Sequence, residues 1–259
     1  MERIAETFET LGQQGKTGFV PFSLAGYPDM EKSREILLKL AEADVLELGF
    51  PFSDPVADGP VIQKAAARAI SSGVTMDKAL DVAAYIRERT NTPMIFFSYF
   101  NPIHKYGPDR FVARAKEAGL DGVLVVDLPM EESRWLKPMT DKAGIAWIYL
   151  ITPTTPDSRI KSMDEQGSGF LYYVSVTGVT GARTALPQDL AFTCEKIRSF
   201  TRLPLVVGFG VSNPQQAAWL KPCVDGVVVG SEIISRIQNG STMNELGRWM
   251  TEMKSALEK

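Results

Sequence analysis

Eight short apolar runs, each separated from the next by a longer amphipathic segment, recur along this chain from end to end. The runs are Gly18–Ser23, Val45–Leu48, Met94–Ser98, Gly122–Val126, Ile145–Ile151, Gly169–Val174, Leu205–Val207 and Gly226–Val229. Their apolar character is nearly continuous, which is how strands covered on both faces read in a parallel sheet. The segments between them carry helical spacing and recognisable helix ends. Pro108-Asp109 opens one that holds Phe111, Val112, Ala115 and Ala118 and stops at Gly119. Asn213-Pro214 opens another, an N-cap residue followed by proline at the first helical position, and Ser33 to Leu40 aligns Ile36, Leu37 and Leu40 on one stripe. Eight strand–helix repeats in 259 residues predict an α/β fold, a single-domain (β/α)8 (TIM) barrel over residues 1–259. The alternative, an open doubly wound sheet, usually has fewer strands. Two further segments, one with Ile4, Phe8 and Leu11 and one with Met243, Leu246, Met250, Met253 and Leu257, read as extra N- and C-terminal helices packed on the barrel's exterior or floor.

Composition narrows the function classes. Lys and Arg total 28 against 31 Asp and Glu, and a net charge of −3 leaves no basic face for nucleic acid or an anionic membrane. Cys194 and Cys223 form no Cys-x-x-Cys, and His104 is the single histidine, so no metal site is expected. His104 falls in Asn101–Lys105, read as a surface loop after the third strand. No apolar run approaches the ~18 residues of a membrane span. Met1-Glu2-Arg3 leads into an amphipathic stretch and not a signal peptide, so a cytoplasmic location is expected.

In such a barrel, chemistry sits at the C-terminal ends of the strands. Glu47 interrupts the second run, Val45-Leu46-Glu47-Leu48. Facing inward, it would be poorly solvated, with its pKa raised toward general acid–base use. Facing outward, it would pair with a helix Lys or Arg. The loop after it, Phe50 to Pro60, holds three prolines and the carboxylates Asp54 and Asp58. Helix capping is the bland role for Asp58, and an Asx-type turn that for Asp54. Toward the far end, Thr177-Gly178-Val179-Thr180-Gly181, Gly208-Phe209-Gly210 and Gly230-Ser231 follow the sixth, seventh and eighth runs. Glycines at consecutive strand ends, the last pair opening a helix, predict a phosphate site. Gly15-Lys16-Thr17 lacks the earlier glycine of a P-loop and precedes a strand. Gly208-x-Gly210 lacks the third glycine of a dinucleotide fingerprint, so no nucleotide cofactor is implied. Phe22, Phe97, Tyr99, Tyr172, Tyr173 and Phe209 lie near strand ends; if several line the mouth, the pocket suits a flat apolar group tethered to a phosphate.

The run Leu46-Glu47-Leu48-Gly49-Phe50-Pro51-Phe52-Ser53-Asp54-Pro55-Val56-Ala57-Asp58-Gly59 resembles the signature of the tryptophan synthase α-subunit family. Phe19-Val20-Pro21-Phe22, Gly26-Tyr27-Pro28, Tyr99-x-Asn101-Pro102, Asp127-Leu128-Pro129 and the glycine pairs extend the likeness over essentially the whole chain. The resemblance implies retro-aldol cleavage of indole-3-glycerol phosphate to indole and glyceraldehyde 3-phosphate. It makes Glu47 the general acid–base and Asp58 the group that holds the indole N–H and stabilises ring charge. It places phosphate on Gly181, Gly210, Gly230 and Ser231, and the indole pocket and site on Phe22, Tyr99, Tyr172 and Phe209. Thr180 would link a lid, Ser175–Pro187, to the second carboxylate; Arg183 within it has no derived role. Phe97 departs from the aliphatic residues more usual at its position. The resemblance further implies a β-subunit partner in an αββα assembly, met through Pro51, Asp54, Asn101 and Pro129. This chain would carry no cofactor, pyridoxal phosphate being expected on the partner. A stand-alone lyase releasing free indole, or a non-catalytic sugar-phosphate binder that switches on a partner, are the competing readings.

Overall fold

Parallel strands, joined through helices except between Trp147 and Tyr149, form a sheet that curls into a barrel in the computed structural model, which describes residues 2–174, 190–208 and 210–258. The strands are β1 (Gly18–Leu24), β2 (Leu46–Gly49), β3 (Met94–Ser98), β4 (Gly122–Val125), β5 (Ala146–Trp147), β6 (Tyr149–Ile151), β7 (Leu171–Val174), β8 (Leu205–Gly208) and β9 (Gly226–Val229). They lie in the order β5-β4-β3-β2-β1-β9-β8-β7-β6. The predicted run Ile145–Ile151 is therefore two short strands. Ala146 and Trp147 pair with β4, whereas Tyr149 to Ile151 pair with β7. Between them Ile148 N–H still donates to Val123 O at 3.0 Å. One stretch of chain changes neighbours there and joins the two edges of the sheet, which is what barrel closure requires. Among the described residues no helix is long and apolar enough to cross a membrane.

Strand alternation sorts the buried side chains into two layers. Val20, Phe22, Ile95, Phe97, Leu124, Ile148, Tyr172, Val206 and Val228 fill the interior with residues of the N-terminal helix. Phe19, Leu46, Leu48, Phe96, Val123, Tyr173, Val207 and Val227 face the surrounding helices. The two terminal helices part company here. Helix Glu2–Gln13 presses Ile4, Phe8 and Leu11 into the interior layer and closes the floor. Glycines at the lower strand ends make room for it: a Cβ on Gly122 would come 3.1 Å from Ile4, and one on Gly226 3.1 Å from Phe8. Helix Met243–Glu258 packs outside, with Trp249 edge-on to Phe19 at 6.2 Å between centroids. His104, expected in a loop, is exposed on helix Phe100–Tyr106 with its ring against Phe100.

The floor is tied at Asp121, just before β4. Its carboxylate, 2% exposed, accepts from Arg3 at 2.7 Å, from Arg87 at 2.6 Å and from the Met94 N–H at 2.9 Å. One buried acid thereby joins the floor helix, helix Met76–Arg87 and the start of β3. Removing one partner of such a network strands the others, at about 3–5 kcal/mol. Asp121→Ala is accordingly expected to lose about 3 kcal/mol or more in urea unfolding; a loss under ~1 kcal/mol would show that the arginines do not depend on it.

Candidate active site

Register decides which way Glu47 points. Glu47 is level with Phe22 on β1 and Ile95 on β3, both interior residues, while its neighbours Leu46 and Leu48 belong to the outer layer. The carboxyl group is 1% exposed, and Oε1 has no hydrogen-bond partner among the described residues. Among the described residues no Lys or Arg pairs with it, and its inward register excludes the outward ion-paired alternative. Desolvation, reinforced by the nearby Asp58 charge, pushes Glu47 up to about 8.

Asp58 reaches the same space from the loop after β2. It is 8% exposed and accepts from the Tyr99 hydroxyl at 3.0 Å; that hydroxyl accepts in turn from Ala57 N–H at 3.1 Å. Burial pushes Asp58 up to about 6, a rise that the Tyr99 hydrogen bond opposes. Asp58 is not the cap of the next helix. Gly59 holds that position without a side-chain bond, and Asp58 contributes only its carbonyl, to Gln63 Nε2 at 2.8 Å. The two carboxyl groups thus straddle neutrality: Glu47 protonated, Asp58 ionised.

Both line an open pocket of about 500 Å³ with Phe22, Ile62, Phe97, Tyr172, Gly210, Val211, Val228, Gly230, Ser231 and Glu232. Phe22 and Phe97 meet edge to face at 5.5 Å and form an aromatic wall. Glycines at the strand tops admit these rings: a Cβ on Gly49 would lie 2.6 Å from the Phe22 ring, and one on Gly208 would collide with the Tyr172 hydroxyl. Burial first, then the charges of Glu47 and Asp58, raise Tyr172 well above a tyrosine's ordinary range, so its hydroxyl stays neutral. At the far side Gly230 and Ser231 open helix Ser231–Gln238, whose N-terminus favours an anion. Gly210 has φ +102° and open space around the missing Cβ, so glycine is needed for its backbone conformation.

Of the predicted site, Glu47, Asp58, Phe22, Tyr172, Gly210, Gly230 and Ser231 converge on this pocket. Tyr99 does not line it; it stands behind Asp58, 2% exposed. Thr180, Gly181 and Phe209, with Arg183 and the segment Ser175–Pro187, lie outside the described residues. Asp54, Asn101 and Pro129 are exposed at the same end of the barrel, whereas Pro51 is buried; Asp54 accepts from Ser53 Oγ at 2.6 Å. Sequence reading passed over Ile62, Val211, Val228 and Glu232. Val228 was within reach, because it alternates with Gly226 on the inward face of β9; the other three depend on how loops and helix starts fold back.

The burial of Glu47 carries a pH signature. Its folded pKa of about 8 lies above the ordinary 4.5, so the folded form keeps a proton that the unfolded chain releases. Stability from this group is complete below pH 4.5 and is lost as pH rises toward 8. Glu47→Gln is expected to remove that decline and to exceed the parent by a few kcal/mol at alkaline pH. Urea unfolding of both at acid and alkaline pH checks this, and parallel pH dependences would mean that Glu47 ionises normally.

Comparison with known proteins gives the family of this barrel. The family model described as tryptophan synthase alpha chain matches residues 8–258. The tryptophan synthase alpha chain of Citrifermentans bemidjiense is 46% identical over 264 residues, covering 100% of this chain and 99% of that one. The solved tryptophan synthase subunit alpha of Legionella pneumophila superposes with a TM-score of 0.89 at 35% identity, covering 99% of this chain and 98% of that one. A chain from the tryptophan synthase a2b2 complex of Pyrococcus furiosus gives 0.86 at 36% identity, covering 92% and 98%. Likeness over the full barrel, with two buried carboxyl groups facing one pocket, has a single consequence: this chain belongs to the tryptophan synthase alpha chain family.

Proposed function

We propose that Glu47 and Asp58 carry out the cleavage of indole-3-glycerol phosphate in this pocket, the lyase reaction of the family. The observation that carries the assignment is the position of Glu47: a buried carboxyl group, without a partner at Oε1 among the described residues, in the wall of an aromatic pocket. Held protonated, it delivers its proton to indole C3 and creates a cationic indolenine. Asp58, ionised, receives the ring N–H and offsets the positive charge as it develops. The Glu47 carboxylate then takes the proton of the hydroxyl on the adjacent glycerol carbon. A carbon–oxygen double bond forms as the bond to C3 breaks, and its electron pair restores the indole. Glu47 ends the cycle protonated, as it began. Phe22 and Phe97 flank the ring, and Gly210, Gly230 and Ser231 take the phosphate at the helix N-terminus, with Gly181 as the expected fourth position.

The same reading treats residues 1–259 as one barrel domain and gives the chain a β-subunit partner in an αββα assembly. Pyridoxal phosphate then belongs to the partner. Asp54, Asn101 and Pro129, exposed at the end where the pocket opens, support contact loops there; Pro51 would act by shaping the loop that presents Asp54.

Two experiments test the proposal. Glu47→Gln should abolish cleavage while leaving substrate binding within a few-fold, and turnover in the parent should fall below about pH 6 as Asp58 gains a proton and above about pH 8 as Glu47 loses one. Normal turnover in Glu47→Gln would end the assignment. Indole release, measured alone and with saturating β subunit, should rise strongly on mixing; fast release indifferent to the partner would make the chain a stand-alone lyase.

A further inference from the structure

Tyr99 matches an indole-site position by resemblance, yet its surroundings point elsewhere. The residue directly follows β3 and adopts extended backbone before helix Phe100–Tyr106, which swings its side chain under the loop after β2. Its ring lies against Phe52 at 5.0 Å between centroids, near the start of that loop. Its hydroxyl meets Ala57 N–H and Asp58 Oδ2 near the end. Polarity is settled by the chemistry of the partners. The Ala57 N–H can only donate, so it takes one acceptor lobe of the hydroxyl, and the hydroxyl hydrogen goes to the carboxylate. Both ends of the hydroxyl are thereby engaged, and Tyr99 contributes nothing to the wall of the pocket.

We propose that Tyr99 is a positioning residue: it fixes the Asp58 carboxylate in the orientation that meets the ring N–H and favours its ionised form, so it acts on the reaction through Asp58. This rests on the assignment of Asp58 above and adds a member to it. A carboxylate on an irregular loop has no strand pairing to aim it, and one charge-assisted hydrogen bond at 3.0 Å, itself held by a backbone N–H, supplies that aim. The titratable groups facing Asp58 are Glu47 from β2, Tyr172 from β7 and Tyr99 itself, with Asp127 acting on Tyr99 from beyond β4. All are acids, and among the described residues no cation stands close enough to do the same work. Among the described residues Tyr99 is the neutral side-chain donor to the Asp58 carboxylate.

The variant that isolates the hydroxyl is Tyr99→Phe, which keeps the ring and its contact with Phe52. With the β subunit present, kcat for indole-3-glycerol phosphate cleavage is expected to fall about ten-fold or more, with KM within about three-fold. The acid limb of the pH profile should move up by about half a unit or more, because Asp58 loses a donor to its charged form. A second readout needs no turnover. Carboxyl 13C titration of aspartate-labelled chain, with the Asp58 signal identified by its loss in Asp58→Asn, should show the same upward shift in Tyr99→Phe. An unmoved Asp58 titration and acid limb overturn the proposal, whether activity is intact or the loss falls wholly in KM; the latter would mark Tyr99 as a substrate contact. Should Asp58→Asn retain turnover, the assignment of Asp58 fails, and the carboxyl titration still decides whether Tyr99 governs that group.

Discussion

A carboxyl group shut inside an apolar barrel, with no counter-ion among the described residues, is costly to bury, and the surrounding structure is arranged to keep it there. Glu47 cannot turn outward, because the pleat of β2 is committed by Leu46 and Leu48, both packed in the outer layer. A slip of one residue would bury the glutamate against helices and expose two leucines to the barrel axis. Nor can the interior relax around it from below, since Ile4, Phe8 and Leu11 fill the floor. Burial therefore acts on protonation, and a group that would be an anion in water is kept as an acid at neutral pH.

The second carboxyl group is treated differently although it opens onto the same pocket. Asp58 sits on a loop, retains a little exposure and has a hydroxyl donor, so its rise stops lower. The difference between the two comes from backbone setting: one residue on a fully covered strand, the other on an irregular turn beside a tyrosine. Two acids of similar intrinsic strength become a protonated group and an anion in this way. Space is apportioned by the same economy. Glycines at the lower strand ends admit the floor helix, and Gly49 and Gly208 at the upper ends admit Phe22 and Tyr172. Size complementarity, small residue against large, fills the barrel with few polar atoms left inside.

Much of this is legible in the chain itself. The strand positions matched closely, Met94–Ser98 and Gly226–Val229 to the residue, because strands covered on both faces are written as unbroken apolar runs between turn signals. The caps were equally plain: Asn213 accepts from Gln216 N–H, and Gly119 takes the left-handed turn after helix Pro108–Glu117. The break at Ile148 was not legible, since its composition continues that of its neighbours and the change of pairing partner belongs to barrel closure. The places of Tyr99 behind Asp58 and of Glu232 in the pocket wall were also hidden, because each depends on where a loop or a helix start returns in space.

What the sequence by itself determined was therefore the repeating strand–helix plan, the ends of its elements, and the presence of two acids and a glycine-rich end in the right order. These are local properties, carried by propensity, periodicity and capping within a few residues. Only the tertiary structure decided that Glu47 faces inward, that Asp58 is held by Tyr99 instead of capping a helix, and that the N-terminal helix closes the floor while the C-terminal one lies outside. Each of those turns on the burial of one segment by another distant in the chain, and desolvation, the force that sets the chemistry of both acids, exists only once the barrel has closed around them.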